Sequence, residues 1–316
     1  MTSGYHTPDN IEAAFAMIAK GYTPIAGATG LYVGRHHRDR DFVDITRLGL
    51  GRIEIVENEV CIGATVTLAD LANAVQIPGA VGCAIRKVAS SIASAPLRNA
   101  ITVGGNIAHA VYWADLPVVL LAFDAMVEVA RSNCGSDAVV PSERRSSPCG
   151  VDEPTVFERC VRSFTPIREC MLVGKKTWDG GLITAVRVPL NTDNVGWGYE
   201  RFTRTATDYA LASACTTMAC TGNAERPVAS RVRVVLGAVQ HHASRLEDIE
   251  NMLEGRTVTP DLCDEVSQHV RANVYVAPNF RAPAEYRREL AAVLIGRAVR
   301  NAWHSSMSKA SAKDPT

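Results

Sequence analysis

The chain has 316 residues, 47% hydrophobic and 21% charged, which is the composition of a globular protein with a real core and room for two domains. Lys+Arg and Asp+Glu both number 33, so the chain lacks the net basic field that nucleic acid or acidic lipid would require of a partner. No apolar run reaches the roughly 20 residues of a bilayer span, and no basic-then-apolar leader opens the chain. With nine cysteines, an odd number, these features predict a cytoplasmic protein with reduced thiols.

The first predicted element is a helix with Thr7 as its cap and Pro8 in its first turn. Ile11, Ala14, Phe15 and Ile18 form its apolar stripe, and Gly21 stops it. A short strand at Pro24-Ile25-Ala26 leads into the loop Gly27-Ala28-Thr29-Gly30, followed by the apolar run Leu31-Tyr32-Val33. Residues 41–45 read as another strand, and the alternation of Ile53, Ile55, Val60 and Ile62 as a hairpin. Thr67 and Asp70 make a capping pair for a helix through Leu71 and Val75.

A helix carrying Ile85, Val88 and Ile92 follows and breaks at Pro96. Next comes Thr102-Val103-Gly104-Gly105-Asn106, read as a short strand running into small residues, and Asp115 as the cap of a helix over 116–123. Met126-Val127-Glu128-Val129 resumes strand character. Residues 131 to about 170 read as an irregular insertion rich in Ser, Arg, Pro and Cys, and Ile183 opens a strand to Pro189. Composition changes near residues 191–198. Beyond that break lie a strand at 231–236, a Ser244/Glu247 capping box for a helix at 246–253, and a last helix with Tyr286, Leu290, Val293, Leu294 and Val299 on one face.

The two glycine-bearing loops carry the first chemical signal. Small residues let backbone N–H groups approach an anion, and Thr29, Thr102 and Asn106 add hydroxyl and amide donors suited to phosphate oxygens. Neither loop matches Gly-x-Gly-x-x-Gly or Gly-Lys-Ser/Thr, which argues against a Rossmann site and a P-loop. The pairs His36-His37 and His241-His242 read as surface loops, because adjacent side chains on a strand point apart. Cys134, Cys149, Cys160 and Cys170 fall inside the insertion without any Cys-x-x-Cys spacing. Free thiols and a bound zinc or iron–sulfur cluster are both open there.

Taken together and in order, these segments resemble the flavin-binding subunits of the molybdenum hydroxylases, which include the medium subunit of aerobic carbon monoxide dehydrogenase and the FAD domain of xanthine dehydrogenase. The resemblance rests on Pro24-Ile25-Ala26-Gly27-Ala28-Thr29-Gly30-Leu31 and on residues 97–108, with Thr102, Val103, Gly104, Gly105 and Asn106 at their centre. It rests further on Asp115-Leu116-Pro117, Tyr199-Glu200-Arg201-Phe202 with Asp208-Tyr209-Ala210, and Tyr286-Arg287-Arg288-Glu289-Leu290. It implies an α+β fold: a PCMH-type FAD-binding region over 1–190, with subdomains at about 1–55 and 56–190, a C-terminal α+β domain at 195–303, and a flexible tail from 304. FAD would lie in a cleft between the two domains, its diphosphate held by the two loops. The resemblance also implies a ribityl contact for Asp115, a charge near the flavin for Arg201 where relatives carry lysine, and cofactor packing for Ile92 and Ile183.

Two departures from the family pattern stand out in the first loop, where Ala28 replaces a glycine and Gly30 a polar residue. Gly180-Gly181 also stands where an acidic residue often precedes the strand. By the same resemblance the chain works as an electron relay and names no catalytic acid or base of its own. Its partners would be a molybdopterin-binding large subunit and a 2Fe–2S small subunit, in a dimer of heterotrimers. A self-contained flavin oxidoreductase and a flavin-free assembly subunit are the alternatives.

Overall fold

The computed structural model describes residues 4–30, 40–132, 160–190, 194–222 and 226–311. Leu31, His36, His37, Cys134 and Cys149 lie outside them. The chain divides into two compact units, and the division does not follow chain order. One comprises residues 1–70, 95–109 and 126–188; the other comprises 71–94, 110–125 and 189–316.

The first unit holds two sheets. Its smaller sheet pairs β1 (Tyr5–His6), β3 (Phe42–Asp44) and β2 (Thr23–Ile25) in parallel. Helix α1 (Ile11–Ala19) begins later than predicted: Asn10, in extended backbone, accepts the Ala13 N–H and is the cap, so Thr7 and Pro8 precede the helix. Ile11, Ala14 and Phe15 bury α1 against Val43, Leu48, Leu50, Ala130 and Leu182. The larger sheet has the order β4 (Ile53–Val56), β5 (Glu59–Gly63), β8 (Leu182–Pro189), β6 (Met126–Ser132), β7 (Cys160–Pro166). The β4–β5 hairpin forms with Ile53 opposite Ile62 and Ile55 opposite Val60, as the alternation predicts. Arg187 donates to Glu128 Oε2 from Nε and Nη2 at 3.1 and 2.9 Å, so the carboxylate on β6 is neutralised where it is buried.

Part of the expected insertion is ordered. Residues 160–166 are strand β7, paired with β6, and α7 (Ile167–Val173) follows it. Ladder hydrogen bonds to β6 and the burial of Ile167, Cys170 and Met171 organise a stretch whose composition alone reads as loop. Thr67 and Asp70 cap reciprocally as predicted, but α2 (Leu68–Ala72) ends early and leaves Val75 exposed.

The second unit is built on an antiparallel sheet, β12 (Ser244–Arg245), β11 (Val228–Gly237), β10 (Ala212–Thr221), β9 (Val195–Phe202). Helices α8 (Glu247–Leu253), α9 (Pro260–Asn273) and α10 (Ala284–Ser311) supply the apolar core with this sheet. Gly196 and Gly198 belong to β9 rather than to a linker. A methyl at either would stand 2.1 Å from Ala302 O or 2.2 Å from Ala298 O, so α10 packs directly on strand backbone there. Helices α3 (Gly79–Ser91) and α6 (Leu116–Ala122) also pack on the sheet, and Thr217 donates to Ala122 O at 2.8 Å.

Three other expectations are corrected in this region. The break before Pro96 falls at residues 92–94, where Ala93 has φ +51, and Pro96 sits in the first turn of α4 (Ala95–Arg98), a position that tolerates its missing N–H. Ser244 lies in β12 and meets His242, so α8 starts at Glu247 without a side-chain cap. On α10, Leu294 and Val299 are buried while Tyr286 and Val293 are exposed. Arg287 is instead the fully buried residue of that turn, donating to the carbonyls of Ala277, Ala238 and Val239.

Candidate functional site

In the first unit β2 delivers the chain into the loop at 26–30. Pro24 and Ile25 lie on β2, and Ile45 N–H closes on Ile25 O at 3.0 Å, after which the ladder ends. Among the described residues, the N–H groups of Gly27, Ala28, Thr29 and Gly30 donate no hydrogen bond. Gly27 is required by contact: a methyl there would stand 1.5 Å from Ala100 O, so this loop lies directly on the segment that leads into the second one. Ala28 adopts φ +57, a left-handed conformation that favours glycine.

The second loop is not a strand running into a turn. Val103 begins helix α5 (Val103–His109), so both glycines sit in a first helical turn. Its amides are engaged inward: Val103 N–H on Val66 O at 2.9 Å, Gly104 N–H on Ala64 O at 2.8 Å, Gly105 N–H on Thr102 Oγ1 at 3.2 Å and Asn106 N–H on Thr102 O at 2.8 Å. Gly104 is needed because its Cβ would stand 2.7 Å from the Ala64 methyl. Ala64 N–H in turn bonds Thr184 O, next to buried Ile183 on β8. What the segment can still offer a ligand is side-chain chemistry, the Thr102 hydroxyl and the Asn106 amide. Asn106 Oδ1 is buried without a hydrogen bond.

A second group of candidate residues gathers in the other unit. Asp115 stands at the N-cap position of α6 but makes no capping hydrogen bond; its backbone is helical, which turns the carboxylate away from the helix amides. It is 4% exposed, and its Oδ2 lies 3.2 Å from Arg201 Nη2. Arg201 projects from β9 and also donates to Ser91 O, beside Ile92 at the end of α3, and to Asp208 O at 2.9 Å. Arg201 is therefore a half-buried clamp on Ser91, Asp115 and Asp208.

Burial pushes the Asp115 carboxyl above the ordinary carboxylate value, opposed by Arg201 and by the Ser213 and Tyr199 hydroxyls. Burial, followed by the charge of Asp115, likewise raises Tyr199 well above a free tyrosine. Those two hydroxyls sit close enough to act on the carboxylate, yet Asp115 Oδ1, Tyr199 OH, Ser213 Oγ and Arg201 Nε close no hydrogen bond of normal geometry. Polar capacity is thus left over at a buried place. The sequence reading did not single out Tyr199 and Ser213 as site residues. Strand parity gives the signal, since Tyr199 is two residues from Arg201 on β9 and Ser213 is its cross-strand partner.

Of the cysteines of the expected insertion, Cys160 and Cys170 fall within the described residues. Cys160 lies on β7 and Cys170 is buried in α7, where burial and then Glu169 push its thiol up to about 11, away from the thiolate a metal needs. Among the described residues no group of three or more His, Cys, Asp or Glu is placed to hold a metal ion. Cys61 departs from the expectation of reduced thiols: it is disulfide-bonded, and its burial on β5 shields it from attacking thiols. No helix among the described residues is long and apolar enough to cross a membrane.

With this geometry in view, comparisons with known proteins are specific. Residues 1–141 match the family described as FAD binding domain in molybdopterin dehydrogenase, and residues 197–302 match the CO dehydrogenase flavoprotein C-terminal domain. The 6-hydroxypseudooxynicotine dehydrogenase complex subunit alpha of Paenarthrobacter nicotinovorans is 27% identical over 307 residues, covering 95% of this chain and 94% of the relative. The carbon monoxide dehydrogenase medium chain of Hydrogenophaga pseudoflava is 24% identical over 310 residues, covering 95% and 96%. The solved carbon monoxide dehydrogenase from Hydrogenophaga pseudoflava shares the fold, with a TM-score of 0.80 at 24% identity over 96% of this chain and 98% of that one.

Proposed function

We propose that this chain is an FAD-binding medium subunit of a molybdenum hydroxylase and the flavin relay of its complex, taking electrons from partner 2Fe–2S clusters and passing them to an external acceptor. The observation that carries the reading is the first loop, where the Gly27–Ala100 contact fixes the backbone while the amides of residues 27–30 meet no acceptor among the described residues. FAD, when bound, supplies the redox chemistry.

The protein's own part is to bind and orient. Open amides suit the diphosphate, and the Thr102 hydroxyl and the Asn106 side chain add donors beside them. Asp115 accepts from a ribityl hydroxyl, its orphaned oxygen being the group that needs such a donor. Arg201 holds Asp115 in place and would supply a positive charge to bound flavin. Ile92 and Ile183 contribute packing. The insertion supplies no metal centre in this reading.

The partners are a molybdopterin-binding large subunit, which transforms the substrate, and a small subunit carrying the 2Fe–2S clusters, in a cytoplasmic dimer of heterotrimers. Support comes from two relatives about equally similar to this chain, subunit alpha of a 6-hydroxypseudooxynicotine dehydrogenase complex and the medium chain of a carbon monoxide dehydrogenase. Substrates so unlike each other are best explained if a different chain selects them.

The test has two stages. Gently purified protein is scanned for a flavin spectrum and the released cofactor is identified by mass; stoichiometric FAD is expected. Rapid mixing then compares the loaded chain alone with the assembled complex. Substrate-dependent bleaching of the flavin is expected only in the complex. Bleaching by the chain alone would make it a self-contained oxidoreductase, and failure to bind added FAD would make it a flavin-free assembly subunit.

A further inference from the structure

The first loop lacks a side chain at its last described residue, and another residue fills the space. A methyl group built at Gly30 would stand 2.9 Å from Cδ2 and 3.0 Å from Nε2 of His109. These contacts are tight enough that the ring would have to shift, so the imidazole occupies the room that a side chain at position 30 would use. His109 is the last residue of α5, the helix that Val103 and the glycine pair begin. The ring is exposed and makes no hydrogen bond among the described residues. It therefore reaches from the second loop's helix onto the first loop, beside the open amides of residues 27–30.

A neutral or cationic imidazole always carries at least one N–H donor. Within residues 27–30 the side-chain donor is the Thr29 hydroxyl, since Gly30 has no side chain and Ala28 is apolar.

We propose that His109 supplies, from the second loop's helix, the polar contact to the FAD diphosphate that Gly30 cannot make, so that the two positions act as one exchanged pair. The proposal rests on the FAD reading above. A donor to a charged phosphate oxygen contributes enough that its loss weakens binding by about 10-fold.

The experiment is an FAD titration of the full-length apoprotein followed by flavin fluorescence. It covers wild type, His109→Ala, His109→Gln, Gly30→Ser and the Gly30→Ser/His109→Ala double variant, with thermal melts confirming that each is folded. His109→Ala should weaken FAD by about 10-fold, and His109→Gln, which keeps a donor, should recover most of that loss. Gly30→Ser alone should weaken binding by driving the ring aside, whereas in the His109→Ala background it should restore affinity. His109→Ala binding FAD within about twofold of wild type would overturn the proposal. A loss that His109→Gln does not rescue would also overturn it, because packing rather than donation would then be at work. Wild-type protein that binds no FAD would instead sink the cofactor reading itself, an outcome distinct from either.

Discussion

At residues 27–30 the chain has left a strand and its amides meet no acceptor among the described residues; at residues 102–106 it enters a helix and turns every amide from Val103 to Asn106 inward. Both stretches are glycine-bearing, both carry a threonine, and both follow apolar residues. What differs is the use of the glycines. Gly27 admits the Ala100 carbonyl and Gly104 admits the Ala64 methyl, so each glycine serves protein–protein contact rather than approach to a ligand. One loop is held from outside and keeps its donors; the other anchors itself with its donors and has only side chains left to give. A glycine pair in a sequence signals close approach without saying what approaches.

Substitutions at the four key positions test that contrast, and the largest effect is expected at Gly27. Gly27→Ala places a methyl within the Ala100 carbonyl, with no flexible side chain to yield, and should cost roughly 3 kcal/mol in urea unfolding. Gly104→Ala gains helix propensity but crowds Ala64, for a net loss of about 1–2 kcal/mol in the same assay. If it were stabilising, the inward anchoring of the second loop would be wrong. Asn106→Ala should leave the apoprotein's melting temperature nearly unchanged, since Oδ1 has no hydrogen bond to lose, while FAD affinity falls about fivefold by fluorescence titration. Equal losses of stability and affinity would show that the amide is structural. Ala28→Gly should give the smallest change, a gain of about 0.5–1 kcal/mol, because relief of the left-handed strain is partly offset by the entropy of a glycine in the unfolded chain.

Much of the architecture was legible. The alternation at 53–62 dictated the β4–β5 register, and the stripe Ile11, Ala14, Phe15 picked out the buried face of α1. The second loop was misread as strand into turn, because Thr102-Val103 has β-branched side chains while the helical hydrogen bonds of α5 form only once Ala64 and Val66 hold its first amides. Asp115 was legible as a cap and as a site residue, two roles that one carboxylate could combine. In this fold the carboxylate makes no capping hydrogen bond and pairs with Arg201, which comes from a distant strand. Residues 160–173 read as loop by composition and are ordered by pairing with β6 and by burial.

The sequence by itself carried the family resemblance, the α+β class, the local periodicities and the residue types available to grip a dinucleotide, because these depend on order and spacing along the chain. Only the tertiary structure decided which amides remain open, that Asp115 meets Arg201, Tyr199 and Ser213, and that His109 fills the space beside Gly30. Those facts depend on groups far apart in sequence competing for the same hydrogen bonds and the same volume, and no local pattern records the outcome of that competition.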